Sequence, residues 1–411
     1  MRSFGFALLT SALAIAALPA AAPAQSEKLK LPAIGIDAPN GIVDDPKRPA
    51  TMRVYDRRRR ETYNGDIGIE LRGFTSQQDD PKKPYALETR KASGKNLNVS
   101  LLGMPADDDW VLIASHRDKS LMRNFLAYST ARWLGRYAPR TRLVELAVNN
   151  RYEGVYLLAE DLKVHDDRVA VDDSDLSGGY LLEMISQRRA EGRVFFTTPV
   201  QSLPVLFKDP NAENISNGRA FWIRDYVRRF ERRLYSDRFR DRRRGYRRYL
   251  DMGAAVDYVL LNELFRNADT FRNSTYMHKG VGEKLALGPL WDFDHAIGND
   301  GDAEDNLLEG WQYLSRPNTY LWAQRLYAHR GFRRRMATRW ETLRQRGLLG
   351  HIKRTIDSGA GQLAGGPQER NFARWPGFGR HASHAQAVDY LKSWVVRRAR
   401  WIDRNVDSFQ P

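Results

Sequence analysis

Apolar and polar positions alternate in clearly different ways along the chain, and the first pattern is a nearly unbroken apolar run, Phe6 to Leu18. Arg2 precedes this run, while Pro19 and Ala22-Pro23-Ala24 close it. That order predicts a secretory signal peptide over residues 1–24, cleaved before Gln25. The run is short for a membrane anchor, and no later stretch is apolar for long enough to span a bilayer. Residues 25–50 hold several Pro and little periodicity, and read as an extended lead-in. A two-residue period then begins. Ile67, Ile69 and Leu71 predict one strand; Lys83, Tyr85, Leu87 and Thr89 share one face of a second. The polar loop between them, from Gly73 to Pro81, predicts an antiparallel pair.

Helical spacing appears at Leu121, Phe125, Tyr128 and Trp133, with Asp118 or Ser120 as cap and Gly135 as stop. Asn149-Asn150 separates two strand-like runs, 143–148 and 152–160, and predicts a hairpin. Gly179 to Met184 reads as another strand. Val256, Leu260, Leu261, Leu264 and Phe265 form the apolar stripe of a buried helix, and further helices are expected within 318–345 and 384–405. The Gly/Pro-rich stretch 359–378 reads as a loop. The pattern predicts an α+β protein in two parts. Residues 51–165 would form a strand-rich lobe with one helix, and 166–411 a mainly helical lobe entered through the acidic stretch 166–175.

Composition narrows the chemistry. Cysteine is absent, which excludes disulfides, thiolate metal sites and cysteine nucleophiles together. The formal net charge is +16, and arginine is concentrated between Arg224 and Arg248. Such a surface could attract an anionic polymer, nucleic acid or membrane headgroups. Trp222, Tyr226, Phe230 and Leu234 nevertheless recur at helical spacing, so the arginines fall on the opposite, solvated face of an ordinary amphipathic helix. His295 stands alone, and His381 and His384 have no nearby carboxylate to complete a zinc site. No G-x-S-x-G motif is present.

The most informative stretch runs from Asn262 to Asp294. Asp269 and Asn273 follow the buried helix; Ser274–Lys279 and Lys284–Trp291 then read as a hairpin around Gly280 and Gly282. A hairpin returns the chain to its start, so Asp292 and Asp294 should lie close to Asp269 and Asn273. Carboxylates gathered this way suit phosphoryl transfer, which needs a proton acceptor, a divalent-metal cradle and a neutralising cation. Asp269 suits the first role. Asn273 and Asp292 offer hard oxygen ligands for Mg²⁺ or Mn²⁺, with Asp294 as a further ligand or an orienting group. Lys83, expected to pair with Glu160, suits the third role, with Arg72 as the next candidate. Each residue also has a plain structural reading. Asp269 and Asn273 could form Asx-turns, Asp292 could cap a turn, and Lys82-Lys83 could be exposed charges. The same carboxylates would also serve glycoside hydrolysis.

Several separate motifs occur in one order: Leu71-Arg72-Gly73, Pro81-Lys82-Lys83-Pro84-Tyr85, Leu102-Gly103-Met104-Pro105, Asp109-Trp110-Val111-Leu112, and Leu121-Met122-Arg123-Asn124. Val148-Asn149, Gly154 to Glu160, Gly178-Gly179-Tyr180, Asn262-Glu263-Leu264, Asp269 and Trp291-Asp292-Phe293-Asp294 continue it. In these features the chain resembles the CotH kinase family, the spore coat protein H-like atypical kinases. The resemblance implies a divergent, bilobal protein-kinase-like fold in a secreted, periplasmic or surface protein. It implies ATP and a divalent metal, with phosphate passed to Ser or Thr of secreted or envelope proteins. It also implies Asp269 as the catalytic-loop Asp, Asp292 as the metal-binding Asp and Lys83 as the nucleotide-phosphate lysine. The chain departs from ordinary kinases in lacking G-x-G-x-x-G and His-Arg-Asp, and in carrying Asp-Phe-Asp where Asp-Phe-Gly would stand. An envelope-binding protein without catalysis, or a hydrolase using the same acids, remains open at this point.

Overall fold

Seven strands alternate inward and outward so regularly that their inward side chains fill one closed barrel. The computed structural model describes residues 28–301, 306–315, 321–376 and 380–406, so the predicted signal peptide lies outside the described residues. The barrel strands are β1 (Ala33–Asp37), β2 (Arg48–Tyr55), β3 (Glu61–Leu71), β4 (Tyr85–Arg90), β5 (Asp109–Ile113), β6 (Thr141–Val148) and β7 (Arg151–Glu160). Ile34, Met52, Ile67, Leu87, Trp110, Val144 and Tyr156, one from each strand, meet in a single buried cluster. The predicted β3–β4 pair is antiparallel, with Ile69 opposite Leu87. Asn149 and Asn150 both adopt positive φ, 50° and 61°, at the β6–β7 turn, as a tight hairpin requires.

Two expectations change. The stretch before residue 51 is more than a lead-in, because β1 pairs antiparallel with β2 and parallel with β6. That parallel pairing closes the barrel, where local pattern suggested only a small antiparallel sheet. Closure leaves no open edge, but it depends on a contact between segments about 110 residues apart, as in Ile36 opposite Val148, which no local period reveals.

The rest of the chain is a five-stranded sheet and a set of helices. The sheet runs in the order β12-β11-β8-β10-β9, built from β8 (Tyr180–Met184), β9 (Phe195–Thr197), β10 (Pro204–Asp209), β11 (Thr275–Lys279) and β12 (Ala286–Leu287). The helices are α1 (Thr75–Asp79), α2 (Arg123–Trp133), α3 (Gln187–Ala190), α4 (Asn217–Leu234), α5 (Met252–Phe265) and α6 (Gln312–Ser315). They continue with α7 (Leu321–Tyr327), α8 (Arg330–Gln345), α9 (Leu348–Leu363), α10 (Pro367–Arg374) and α11 (His384–Asn405). Leu143, Val155 and Leu157 on the outer barrel face join Leu126 of α2 and Leu261 of α5 in one large core. None of the described helices is long and apolar enough to cross a membrane.

The stretch expected as a loop at 359–378 instead contains the end of α9 and all of α10. Gly365 and Gly366 take positive φ, 71° and 129°, Pro367 occupies the first turn, and the helix starts anew. This helix straps the C-terminal part to the barrel. Arg370 pairs with Glu145 at 2.7 Å and Arg374 with Glu153 at 3.3 Å. Asn371 Oδ1 accepts from the Val155 backbone N–H at 3.0 Å.

The arginine-rich stretch includes exposed Arg232, Arg233, Arg238, Arg240 and Arg242 to Arg244, while α4 turns Ile223, Val227, Phe230 and Leu234 inward. A second source of charge joins it in space. His329 is pushed down to about 4 by burial and by Arg247, Arg240, Arg333 and Arg335.

Two outcomes follow from this packing. Arg398 is fully buried, donates to Glu263 Oε2 at 3.1 Å and to the Glu263 carbonyl at 3.1 Å, and ties α11 to α5. Arg398→Ala removes the ion-pair partner of buried Glu263 and should destabilise the fold by about 3–5 kcal/mol in urea titrations. Between about pH 4 and 6.5, the unfolded chain protonates His329 while the folded chain does not. Stability should therefore rise with pH across that window, and His329→Gln should flatten that part of the melting-temperature profile.

Candidate active site

Helix α5 buries nearly every side chain along its length and stops at Arg266, whose φ of 44° turns the chain out of the helix. The following loop is knitted by its own polar groups. The Asp269 N–H donates to Asn267 Oδ1 at 3.2 Å, and the Asn273 N–H donates to the Asp269 carbonyl at 2.8 Å. Phe271 is buried against Tyr258 and anchors the loop, leaving the Asp269 side chain half-buried at its rim.

Strands β11 and β12 then pair as a hairpin, Met277 opposite Leu287, and return the chain as the sequence pattern predicts. Ser274 Oγ donates to Asp292 Oδ2 at 3.1 Å, and Asn267 Nδ2 donates to the Asp292 carbonyl at 3.2 Å. Asn273 is a bridge: its Nδ2 donates to Asp269 Oδ1 at 2.9 Å, while its Oδ1 accepts from the Ser186 N–H at 3.1 Å. Its side chain thus orients Asp269.

Helix α2 supports the second pair of acids. Asn124 and Tyr128 lie one turn apart on the same face. Asn124 Nδ2 donates to Asp294 Oδ1 at 2.7 Å, and its Oδ1 accepts from the Phe293 N–H at 2.7 Å. Tyr128 Oη accepts from the Asp292 N–H at 3.3 Å, and its ring stacks on Trp291. Asp118 prepares the start of α2, accepting from the Met122 N–H at 2.9 Å and the Arg123 N–H at 2.8 Å. Asn124, Tyr128 and Asn267 were not selected from sequence, since an Asn or Tyr within a helical pattern carries no local mark of what it faces.

Charge is concentrated here. Burial and the neighbouring Asp269 carboxylate push Asp292 up, against the pull of Arg189 and His295. Burial, then Asp292 and Asp118, push Asp294 up to about 7. The hydrogen bond to Asp300 raises His295 to about 9, with Asp292 and Asp269 adding to it against burial. Repelling carboxylates of this kind suit a divalent cation, which would relieve the repulsion through hard oxygen ligands. Asp292 Oδ1, Asp294 Oδ2 and Asp269 Oδ2 have no protein donor among the hydrogen bonds described, so each acid keeps an oxygen for such a cation.

A second acidic set occurs at Asp107, Asp108 and Asp109, whose ligand oxygens lie within 4.8 Å of one another. The Lys163 ammonium already sits 2.8–2.9 Å from all three, supplying the cation that such a cluster needs. That arrangement fastens β5 to the segment after β7.

The cations depart from expectation. Lys83 does not meet Glu160: Lys83 Nζ donates to the Gln77 carbonyl at 2.6 Å, while Glu160 accepts from Arg140 Nη1 at 2.7 Å and Tyr137 Oη at 3.2 Å. Strand β4 starts at Tyr85, beyond both lysines, so Lys83 is not mid-strand. Lys82 is the inward one, 1% exposed, with its Nζ on the Val155 carbonyl and 2.9 Å from Asn371 Oδ1. Burial pushes it down to about 7, against the pull of Asp294 and Glu153. Arg72 does reach the site region. Its guanidinium lies 4.5 Å from the Trp291 ring centroid and pairs with Asp161 at 3.2 Å.

Comparison with known proteins agrees with this arrangement of motifs. The family described as CotH kinase protein matches residues 69–402. The chain belongs to the CotH kinase family. The match takes in the whole candidate site and continues through α10 and most of α11. A structural likeness to a chain of the Shewanella oneidensis MR-1 toxin–antitoxin complex of HipA, HipB and operator DNA covers 83% of this chain and 70% of that one, at 14% identity and a TM-score of 0.35. No curated protein matches the sequence.

In this CotH-family protein, Asp294 sets a measurable opposition between site and stability. The folded carboxyl keeps its proton up to about pH 7, whereas its ordinary value is 3.8. Stability is therefore lost as pH rises through that interval. Asp294→Asn, which retains an acceptor for Asn124, should melt higher than wild type at pH 8, with the gain vanishing near pH 4 in calorimetric scans.

Proposed function

We propose that this protein is an exported phosphotransferase that moves the γ-phosphoryl group of ATP to a Ser or Thr hydroxyl of a secreted or envelope protein. The observation that carries the reading is the junction of two loops at Ser274 and Asn273, one bearing Asp269 and the other Asp292. Asp269, steered by Asn273, accepts the proton of the acceptor hydroxyl. Asp292, with Asp294 behind it on Asn124, holds Mg²⁺ or Mn²⁺, which would supply charge neutralisation at the phosphates. Arg72, just after β3, stacks on Trp291 beside Asp292, and Lys82 replaces Lys83 as the interior lysine. Glu160 braces the barrel through Arg140 and does not serve as the lysine's partner.

On this reading the barrel is the lobe that covers the nucleotide, and the second sheet and helices form the other lobe, with the division near residue 165. Export rests on the apolar leader and its small-residue cleavage site.

Purified protein lacking residues 1–24 should transfer label from γ-labelled ATP with Mg²⁺ or Mn²⁺ to itself or to a casein acceptor. Asp269→Ala and Asp292→Ala should each lower the rate by about 100-fold or more, while wild type gains thermal stability from nucleotide with metal. Equal labelling in wild type and both variants would overturn the proposal. Absence of both labelling and stabilisation would favour a binding protein that keeps the fold.

A further inference from the structure

The turn between β8 and β9 brings a cation to the site that the sequence pattern did not single out. Helix α3 is a single turn, yet it is fixed at both ends. The Ser186 N–H donates to Asn273 Oδ1 at 3.1 Å, and Ala190 is buried in a small cluster with Ile185 and Leu206. From this base Arg189 Nη1 donates to Ser274 Oγ at 3.2 Å, and the same hydroxyl donates to Asp292 Oδ2 at 3.1 Å. The guanidinium is therefore one hydroxyl away from Asp292.

Arg189 is held from above as well. Its guanidinium carbon lies 5.8 Å from the Phe74 ring centroid, and that of Arg188 lies 5.5 Å away. Phe74 belongs to the β3–β4 loop, the segment that also carries Arg72, Lys82 and Lys83. Three other cations near the acids are committed elsewhere: Arg72 pairs with Asp161, Lys82 is capped by Asn371 and the Val155 carbonyl, and His295 lies against Asp300. Arg189 makes no ion pair within 4.0 Å among those described, and one serine uses only one of its five N–H groups.

Building on the phosphotransferase reading, we propose that Arg189 is a phosphate-binding arginine supplied in cis, and that Phe74 latches the β3–β4 loop over it. In the transfer, the acceptor oxygen forms a bond to the γ-phosphorus as the bond from that phosphorus to the β,γ-bridging oxygen breaks. The hydroxyl proton passes to Asp269, and the electron pair of the broken bond leaves with ADP. Negative charge is spread over the equatorial phosphoryl oxygens during this exchange. A planar guanidinium with free N–H groups beside Asp292 is suited to those oxygens. Ser274 keeps it oriented without neutralising it. The Phe74 contact ties that cation to the β3–β4 loop.

The test compares wild type with Arg189→Ala, Arg189→Lys and Phe74→Ala in transfer kinetics, and measures binding of Mg-ADP with and without tetrafluoroaluminate by calorimetry. Arg189→Ala should lower kcat by about 100-fold or more with little change in Mg-ADP affinity. It should lose most of the added affinity that tetrafluoroaluminate gives wild type. Guanidinium chloride at non-denaturing concentration should restore part of its rate, and Arg189→Lys should restore less than a true arginine. Phe74→Ala should lower kcat by about tenfold or less, the range of a partly exposed cation–π contact. Wild-type transfer with an undiminished Arg189→Ala rate would overturn the arginine's role and leave the phosphotransferase reading intact. Loss of Mg-ADP binding in Arg189→Ala, unrescued by guanidinium, would also overturn it, in favour of a purely structural part. No transfer and no nucleotide binding by wild type would overturn both.

Discussion

Holding Asp292 and Asp294 side by side, close to Asp269 and largely shielded from water, is the constraint on which the surrounding architecture converges. Burial and mutual repulsion both oppose their ionisation. The protein offsets this at the carboxylates with hydrogen bonds from Ser274 and Asn124, while Asn267 and Tyr128 fix the Asp292 backbone through its carbonyl and N–H. Each of these donors or acceptors is fixed in turn by a buried element. The acids therefore stay in place because α2 packs against the outer barrel face and α5 packs beneath it.

The segment after Asp294 shows the same dependence. Arg123, fully buried, reaches the carbonyls of Ala296 at 2.9 Å and Ile297 at 3.2 Å, and is neutralised by Asp118. Gly298 adopts φ 69° directly beneath α11, where a Cβ would come within 2.5 Å of Tyr390 Oη. Glycine is needed there for both its backbone freedom and its lack of bulk. The C-terminal helices thus shape the return of the acidic loop, and α10 reaches further, to the barrel and to Lys82. This contact joins residues 289 positions apart, both inside the stretch that the family match covers.

The opposing charges are graded by what already surrounds them. Lys163 pairs with all three aspartates near the start of β5, and Arg140 pairs with Glu160, so each acidic group already has a cation beside it. Lys82 is desolvated, and Arg72 is stacked on Trp291. Arg189 alone among these is joined to the acids through a neutral hydroxyl. What separates Arg189 from these ion pairs is its partner, a neutral hydroxyl in place of a carboxylate.

The sequence by itself determined the local elements with strong periods and the return of Asp292 towards Asp269. The alternation in β3 and β4, the stripe of α5, the Asn149-Asn150 turn and the β11–β12 hairpin all arise from interactions within a few residues. It brought the acids of the candidate site together for the same reason, since a hairpin is a local device with predictable geometry. Only the tertiary structure decided that β1 closes a barrel against β6, that Gly365-Gly366-Pro367 begins a strapping helix, and that Lys82 rather than Lys83 turns inward. It alone brought Asn124, Tyr128 and Arg189 to the acids. Those outcomes depend on which distant surface each residue buries, and burial is a property of the packed chain that no local pattern of polar and apolar positions contains.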